Sequence, residues 1–391
     1  MVAQSAGMSR SADVAVIGGG IIGCSAAAIL AERGATVTLY EATAVGAGAS
    51  GRNLGAIQHP FDAVLAPLYY SSLEAYHALA AEDAGFAMPA EPRGVLMLNR
   101  DPDASRRQVA HLREAVPDLT VEFVEPDAVA AAEPSLVPGF AACRLDTGYP
   151  IPPASATSAF ARLAAARGAE MQVGMVAEPW IEEGVLRGVR LADGTRHAAG
   201  AVLIAAGPWS PPLVDATGAW EPINRTWGVT VQLELGGAAP RHVIEEDEVD
   251  AVNRPLVAAA KAAAGEPEAA DPHTLFTIAS ATGISTLGST FLPSEPDGER
   301  IAKLLMERGA TYLPAIANAP VREVRICARP QSADSRPFIG PVKGVEGLFV
   351  CAGHGPWGIS TGPASAALVV EAILDHGSVP EPLAATRPIS G

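Results

Sequence analysis

The sequence predicts an α/β fold: a Rossmann-type dinucleotide-binding domain, discontinuous in the chain, with an inserted α+β domain built on a mixed sheet. Three observations predict it. A strand, glycine turn, helix and second strand open the chain over Asp13–Glu41. Short apolar runs suited to the same parallel sheet recur in the middle, at Ala201–Ala205, and near the end, at Leu348–Ala352. Between them, alternating strands and amphipathic helices fill two further stretches. At 391 residues the chain has room for two domains of ordinary size. The division expected is 11–90, 146–215 and 322–380 for the dinucleotide-binding domain, and 91–145 and 216–321 for the inserted one.

The opening unit is the best defined. Val14–Ile17 suits a strand buried on both faces, and Gly18, Gly20 and Gly23 fit G-x-G-x-x-G, with Ile22 inside the motif. The first glycine allows the tight turn, the second lets backbone approach a pyrophosphate, and the third lets helix pack on strand. Free amides at the helix start, aided by its dipole, are expected to receive the phosphates. Ala26–Arg33 continues the helix, Gly34 ends it, and Thr36–Tyr40 is the second strand. Glu41 follows where an acid accepts from ribose hydroxyls, which favours FAD or NAD over a 2′-phosphorylated dinucleotide. The fingerprint leaves FAD and NAD both open.

Gly46–Gln58 is a glycine- and alanine-rich loop with polar Ser50, Arg52 and Asn53, suited to backbone approach to a ligand or to a plain connector. Leu65–Ala84 carries apolar residues at helical spacing. Gly94–Leu98 reads as a strand, Asp103–Ala115 as a helix, and Pro126 starts a short helix ending before Pro134. Pro153–Arg167 is a helix closed by Gly168; Val176–Ile181 and Val185–Leu191 form strands joined at Glu182-Glu183-Gly184. The strand Ala201–Ala205 runs into Ala205–Ser210, where a glycine-containing turn lets backbone lie against a cofactor. Trp227–Leu235 alternates as a half-buried strand. His242–Asp271, acidic and alanine-rich, reads as a surface excursion with a small helix at Val257–Ala264. Leu275–Ile278 and Ile284–Leu287 flank a Thr282-Gly283 turn as a hairpin. Glu299–Tyr312 is helical, Val321–Cys327 a strand, and Leu348–Ala352 leads through a loop into a C-terminal helix.

Composition narrows the function classes. A formal charge of −16 argues against nucleic-acid and anionic-membrane partners. No uninterrupted apolar run of about 18 residues predicts a membrane span. The N-terminal apolar segment belongs to the strand and turn, and so does not read as a signal peptide. Cys24, Cys143, Cys327 and Cys351 show no metal-ligand spacing; they read as reduced thiols of a cytoplasmic protein. A small-molecule partner, with a homo-oligomer possible and no metal, is the expectation.

Five stretches, in this order and spacing, carry a resemblance: VIGGGIIG at the start, GASGRNLG at Gly48–Gly55, VLIAAGPWS at Val202–Ser210, RPQSADSRPFIG at Arg329–Gly340, and AGHGPWGIS at Ala352–Ser360. Over nearly its full length the chain resembles the FAD-dependent D-amino-acid oxidase superfamily, in the branch of glycine oxidase, sarcosine oxidase and bacterial D-amino-acid dehydrogenases. The resemblance implies FAD. It implies pyrophosphate contacts at Gly18, Gly20, Ile22 and Gly23, and a ribose contact at Glu41. It implies contacts along the loop at Ala49, Ser50, Arg52, Asn53 and Gly55, and an adenine-side contact at Val176. Ala206, Gly207 and Trp209 match the middle motif, and Gly358 and Ile359 would approach the flavin ring. Amides at that helix start can stabilise negative charge on a reduced flavin.

Arg329 is the implied carboxylate ligand, since a planar guanidinium offers two parallel hydrogen bonds. His354 lies in the flavin loop, to shape the pocket or accept a proton, with a backbone-bonded structural histidine the alternative; Trp227 is a candidate pocket wall, with core packing the alternative. Two departures matter. Pro356, followed by Trp357, stands where glycine oxidase carries a second arginine. Cys327 stands where sarcosine oxidase links covalently to FAD, although non-covalent FAD is favoured for this chain. The implied reaction is oxidation of the C–N bond of a small amino acid or amine to an imine, by hydride transfer to flavin N5 with electrons passing to O2. The alternatives are electron transfer to a quinone or partner protein, a larger biosynthetic amine as substrate, an NAD-dependent dehydrogenase, and a non-catalytic FAD-binding protein.

Overall fold

The computed structural model of the chain describes residues 11–82, 85–247 and 274–388. The opening apolar run becomes the strand Ala12–Ile17, its last four residues buried. It pairs in parallel with Val37–Glu41 on one side and Arg196–Ile204 on the other. Leu348–Ala352 adds in parallel beyond Arg196–Ile204, and Phe338–Pro341 closes that edge antiparallel. At the other edge Glu170–Val173 pairs in parallel with Val37–Glu41. The hairpin Ala177–Glu182 and Val185–Leu191 hangs from the start of the Arg196–Ile204 strand. This is the α/β sheet the sequence predicts, assembled from the beginning, middle and end of the chain.

Its core lies between the sheet and the helices Ile21–Glu32, Ala66–Glu82, Ser155–Ala166 and Gly358–Leu374. Alanine-rich faces let these helices pack closely. A Cβ on Gly362 would sit 3.0 Å from the Ile21 side chain, which marks how near the first and last helices approach. Tyr76 is fully buried there, and its hydroxyl donates to the Ile359 carbonyl at 2.7 Å, so the ring's polar tip is satisfied. Among the described residues one helix, Gly355–Leu374, is long and apolar enough to cross a membrane; 67% of its apolar window is buried inside the protein, and core packing accounts for its composition.

A second, mixed sheet runs in the order Val321–Ser332, Ile223–Leu233, Ile284–Thr290, Thr274–Ala281, Val243–Glu246, Val95–Asn99, Ala141–Leu145 and Val121–Val124. Neighbours are antiparallel except Val243–Glu246 with Val95–Asn99. The amphipathic helix Gly298–Ala310 covers it, with Ile301 and Leu305 in the core and Asp297 capping its first amides.

Two expectations need correction. The start of the supposed surface excursion after His242 is a central, wholly buried strand, Val243–Glu246. Its acids read as solvent-facing, but Glu246 accepts from Arg308, from the Tyr312 hydroxyl at 2.7 Å and from the Phe276 amide at 2.5 Å, so its charge is compensated within the fold. The strand that begins at Val321 does not stop at Cys327. It continues to Ser332 and belongs to the second sheet, because its partner Ile223–Leu233 pairs with it along its whole length. We therefore propose that the inserted domain extends to about that point and that the dinucleotide-binding domain resumes near Phe338. The helix expected at Val257–Ala264 lies outside the described residues.

Candidate active site

A cavity of about 780 Å³ runs along the ends of the first sheet's strands and under the second sheet. At one end stands the glycine turn. Gly18 adopts φ +116°, and a Cβ there would lie 2.4 Å from the Ala205 carbonyl oxygen; a Cβ on Gly23 would lie 1.9 Å from the Gly18 carbonyl oxygen. Only glycine lets the turn, the helix and the neighbouring strand close on one another. Glu41 lies beside it, its Oε2 accepting from the Gly19 amide at 2.7 Å and its Oε1 from the Thr43 amide at 2.8 Å. A carboxylate held this way keeps further acceptor positions for hydroxyls. The Ile21 amide donates to Ser50 Oγ at 3.0 Å. The helix start is thus less open than the sequence suggests, since the Gly19 and Ile21 amides are already engaged.

Ala49–Arg52 forms one helical turn at the cavity's side. Asn53 holds this turn by donating to the carbonyls of Ser50, Ala49 and Pro153, while its Oδ1 accepts from the Gly55 amide at 2.8 Å. Its side chain therefore positions the loop. Arg325, not expected from the sequence, clamps the same turn by donating to the Gly51 and Asn53 carbonyls, and Arg52 donates to the Ile326 carbonyl. These bonds tie the two sheets together beside the cavity. Ala206, Gly207 and Trp209 also line the cavity, and Trp209 is half exposed. Met175 and exposed Val176 leave apolar surface at the Glu41 end. Gly358 and Ile359, at the start of the last helix, line the other end.

Arg329 lies on the second sheet, over the cavity, and is partly buried. Its Nη1 donates to the Thr290 carbonyl and its Nη2 to Ser289 Oγ, both at 2.7 Å; the guanidinium stacks 4.6 Å from the Phe291 ring centroid. Gly228, opposite, makes room: a Cβ there would lie 2.5 Å from Arg329 Nη1. Among the described residues no carboxylate forms a salt bridge with Arg329, and burial lowers its pKa. A desolvated guanidinium with neutral partners favours an anion in the cavity.

His354 lines the cavity, is 2% exposed and has no partner at Nε2. Burial, with the Arg387 charge nearby, lowers its pKa from 6.5 to about 3, so the ring is neutral at pH 7. A lowered value means that the unfolded chain binds the proton more readily below pH 6.5. Stability is therefore present above that pH and lost progressively as pH falls toward about 3. Denaturant midpoints measured across this window are expected to fall, and His354→Asn to flatten the dependence; a parallel slope in the variant would remove His354 as its origin.

Trp227 does not wall the main cavity. It lines an adjoining cleft of about 370 Å³, together with Arg52, Trp209 and Cys327. The reason is strand periodicity: Gly228, Thr230 and their partner strand's Cys327 and Arg329 share the cavity face, and Trp227 takes the opposite one. Gly55 and Gly23 lie behind the lining; a Cβ on Gly55 would meet the Ile151 carbonyl oxygen at 2.5 Å. Cys327 reaches both cavities, buried, with its Sγ 3.9 Å from the Arg52 carbonyl. Burial raises its pKa, so it is a protonated thiol.

The family model for FAD dependent oxidoreductases (DAO) matches residues 13–372. The chain belongs to this FAD-dependent oxidoreductase family. It is 26% identical over 382 residues to glycine oxidase of Bacillus licheniformis, covering 94% of this chain and 95% of that protein. Its fold is that of solved structures: glycine oxidase from Geobacillus kaustophilus (23% identity, TM-score 0.81, 98% and 100% of the chains) and L-proline dehydrogenase from P. horikoshii (21%, 0.77, 94% and 95%).

The cavity of this DAO-family oxidoreductase fits FAD. The glycine turn and Glu41 suit pyrophosphate and a free ribose, Met175 and Val176 offer an apolar rest for adenine, and the helix starting at Gly358 opens at the far end, where the ring would lie. Gln58, Thr277, Ser289 and Glu245 also line the cavity and escaped the sequence reading. The signal for Glu245 was the β-branched pair Val243-Ile244 just before it.

Proposed function

We propose that this enzyme oxidises the C–N bond of a small amino acid or amine to an imine, with electrons passing to dioxygen. The observation that carries the reading is Arg329: a partly buried guanidinium on the cavity wall, hydrogen-bonded to neutral groups, suits a substrate carboxylate. The relative named glycine oxidase supports an amino-acid substrate. Bound FAD supplies the hydride acceptor. The chain's part is to hold the carboxylate at Arg329, keep neutral His354 at the wall and exclude water through the Phe291 and Trp357 rings. A neutral amine needs no general base from the protein for this reaction, and none is assigned. The four described cysteines are all free and buried, which supports a reducing, cytoplasmic setting.

The test is anaerobic mixing of the holoenzyme with D- and L-amino acids, N-methylglycine, proline analogues and simple amines. Bleaching of the visible flavin band by carboxylate-bearing amines, with recovery on readmitting air, is expected. Recovery only with a quinone would replace the oxygen assignment, and a band that no amine bleaches would overturn the reading. We further propose that FAD is held non-covalently, the Cys327 thiol being protonated. Acid precipitation is expected to leave a colourless pellet; a yellow pellet that turns colourless in Cys327→Ser would establish a covalent link.

A further inference from the structure

Beside the Arg329 pocket, three buried groups line the cavity with hydrogen-bonding that is weighted toward acceptors. Glu245 is 3% exposed and stands on the central strand of the second sheet. Gln58 Nε2 donates to its Oε1 at 3.1 Å. This contact fixes the amide's orientation, since the flipped form would set oxygen against carboxylate. The Gln58 Oε1 that results is buried without a partner. Thr277, directly opposite Glu245 in the strand register, is likewise buried with Oγ1 unpartnered. A carboxylate, an amide oxygen and a hydroxyl at one wall match a ligand group with several N–H bonds, an ammonium or guanidinium.

The register places this wall relative to Arg329. The Arg329 guanidinium is bonded to Ser289, the residue after Gly288; Gly288 pairs with Thr277, and Thr277 with Glu245. The two charges thus lie two strand positions apart, about 10 Å measured along the sheet. We propose that Glu245, with Gln58 and Thr277, forms a cation subsite, and that the substrate is an amino acid whose side arm carries an ammonium or guanidinium. This rests on the reading of Arg329 as the carboxylate ligand.

The test compares matched pairs on the holoenzyme: lysine against norleucine and ornithine against norvaline, in both enantiomers. The cationic member is expected to lead in kcat/KM by about tenfold or more, chiefly through KM. Glu245→Gln is expected to abolish that lead, with a loss in kcat/KM at least about tenfold larger for the cationic member than for the neutral one, and with the flavin band in place. Three results would overturn the subsite: equal rates within the pairs, an equal loss for both members in the variant, or a flavin band shifted in the variant, which would assign Glu245 to the cofactor. If neutral members bleach the flavin and cationic ones do no better, the subsite fails alone. If no member of any pair bleaches it, the amine-oxidising reading fails and the subsite with it.

Discussion

Arg329→Ala is expected to raise KM for carboxylate substrates by tenfold or more while the protein keeps its FAD. A charge-assisted hydrogen bond contributes about 1.5–3 kcal/mol, and each 1.4 kcal/mol is about tenfold in affinity. The guanidinium is partly desolvated and already held by the Thr290 carbonyl and Ser289 hydroxyl before substrate arrives, which reduces the cost of ordering it at binding. Stability should separate from function here. Arg329→Met fills similar space, removes a partly buried charge whose contacts are the neutral Thr290 carbonyl, Ser289 hydroxyl and Phe291 ring, and is expected to leave the melting temperature level or raise it. Gly228→Ala provides a control, because its methyl would displace the guanidinium without removing it. It should raise KM in the same direction by a smaller factor. Steady-state kinetics with a carboxylate substrate and its amide analogue checks all three variants. An unchanged KM in Arg329→Ala would remove the carboxylate role.

Gly23→Val is expected to yield protein without FAD. Even the first added carbon would lie 1.9 Å from the Gly18 carbonyl oxygen. Gly18 cannot yield: its amide donates to the Tyr40 carbonyl at 2.8 Å, and the space beside it is taken by the Ala205 backbone, 2.4 Å from where a Cβ would sit. The turn must therefore open, and the phosphate seat goes with it. Because a ligand that binds only the folded state stabilises it by mass action, the variant should also melt at the temperature of wild-type apoprotein or below. Gly34→Ala is the contrast. It too has positive φ, at +85°, but a Cβ there meets nothing within 4 Å, so it should cost about 1–2 kcal/mol and retain FAD. Absorbance of the purified proteins decides between the outcomes. A yellow Gly23→Val protein would show that the turn tolerates a side chain.

The parts of the site that were legible in the sequence are those whose geometry is local. Gly18, Gly20, Gly23 and Glu41 lie within one strand–helix–strand unit, so their spacing alone fixes their relation. Arg329 was legible because a motif surrounds it. What stayed hidden depends on register between distant strands. Trp227 carries the bulk of a pocket wall, but its alternation could not say which face meets the cavity; pairing with Val321–Ser332 turned it away. Glu245 and Glu246 look like surface acids because nothing nearby in sequence shows Gln58, Arg308 and Tyr312 arriving to meet them. Arg325 escaped for the same reason: its partners, the carbonyls of Gly51 and Asn53, lie more than 270 residues away.

The parallel sheet under the cofactor has a consequence for how the enzyme is made. Its central strand, Ala12–Ile17, leaves the ribosome before its neighbour Arg196–Ile204, and Leu348–Ala352 emerges later again. The loop and helix at Gly358 that line the far end of the cavity come later still. The nascent glycine turn must therefore wait, until those later strands have emerged, with an unfinished sheet edge, the kind of exposed strand that invites wrong pairing. FAD capture can only be a late event. Cofactor supply during expression should then govern how much active enzyme survives, by pulling finished chains out of an aggregation-prone pool rather than by assisting the first strands to form.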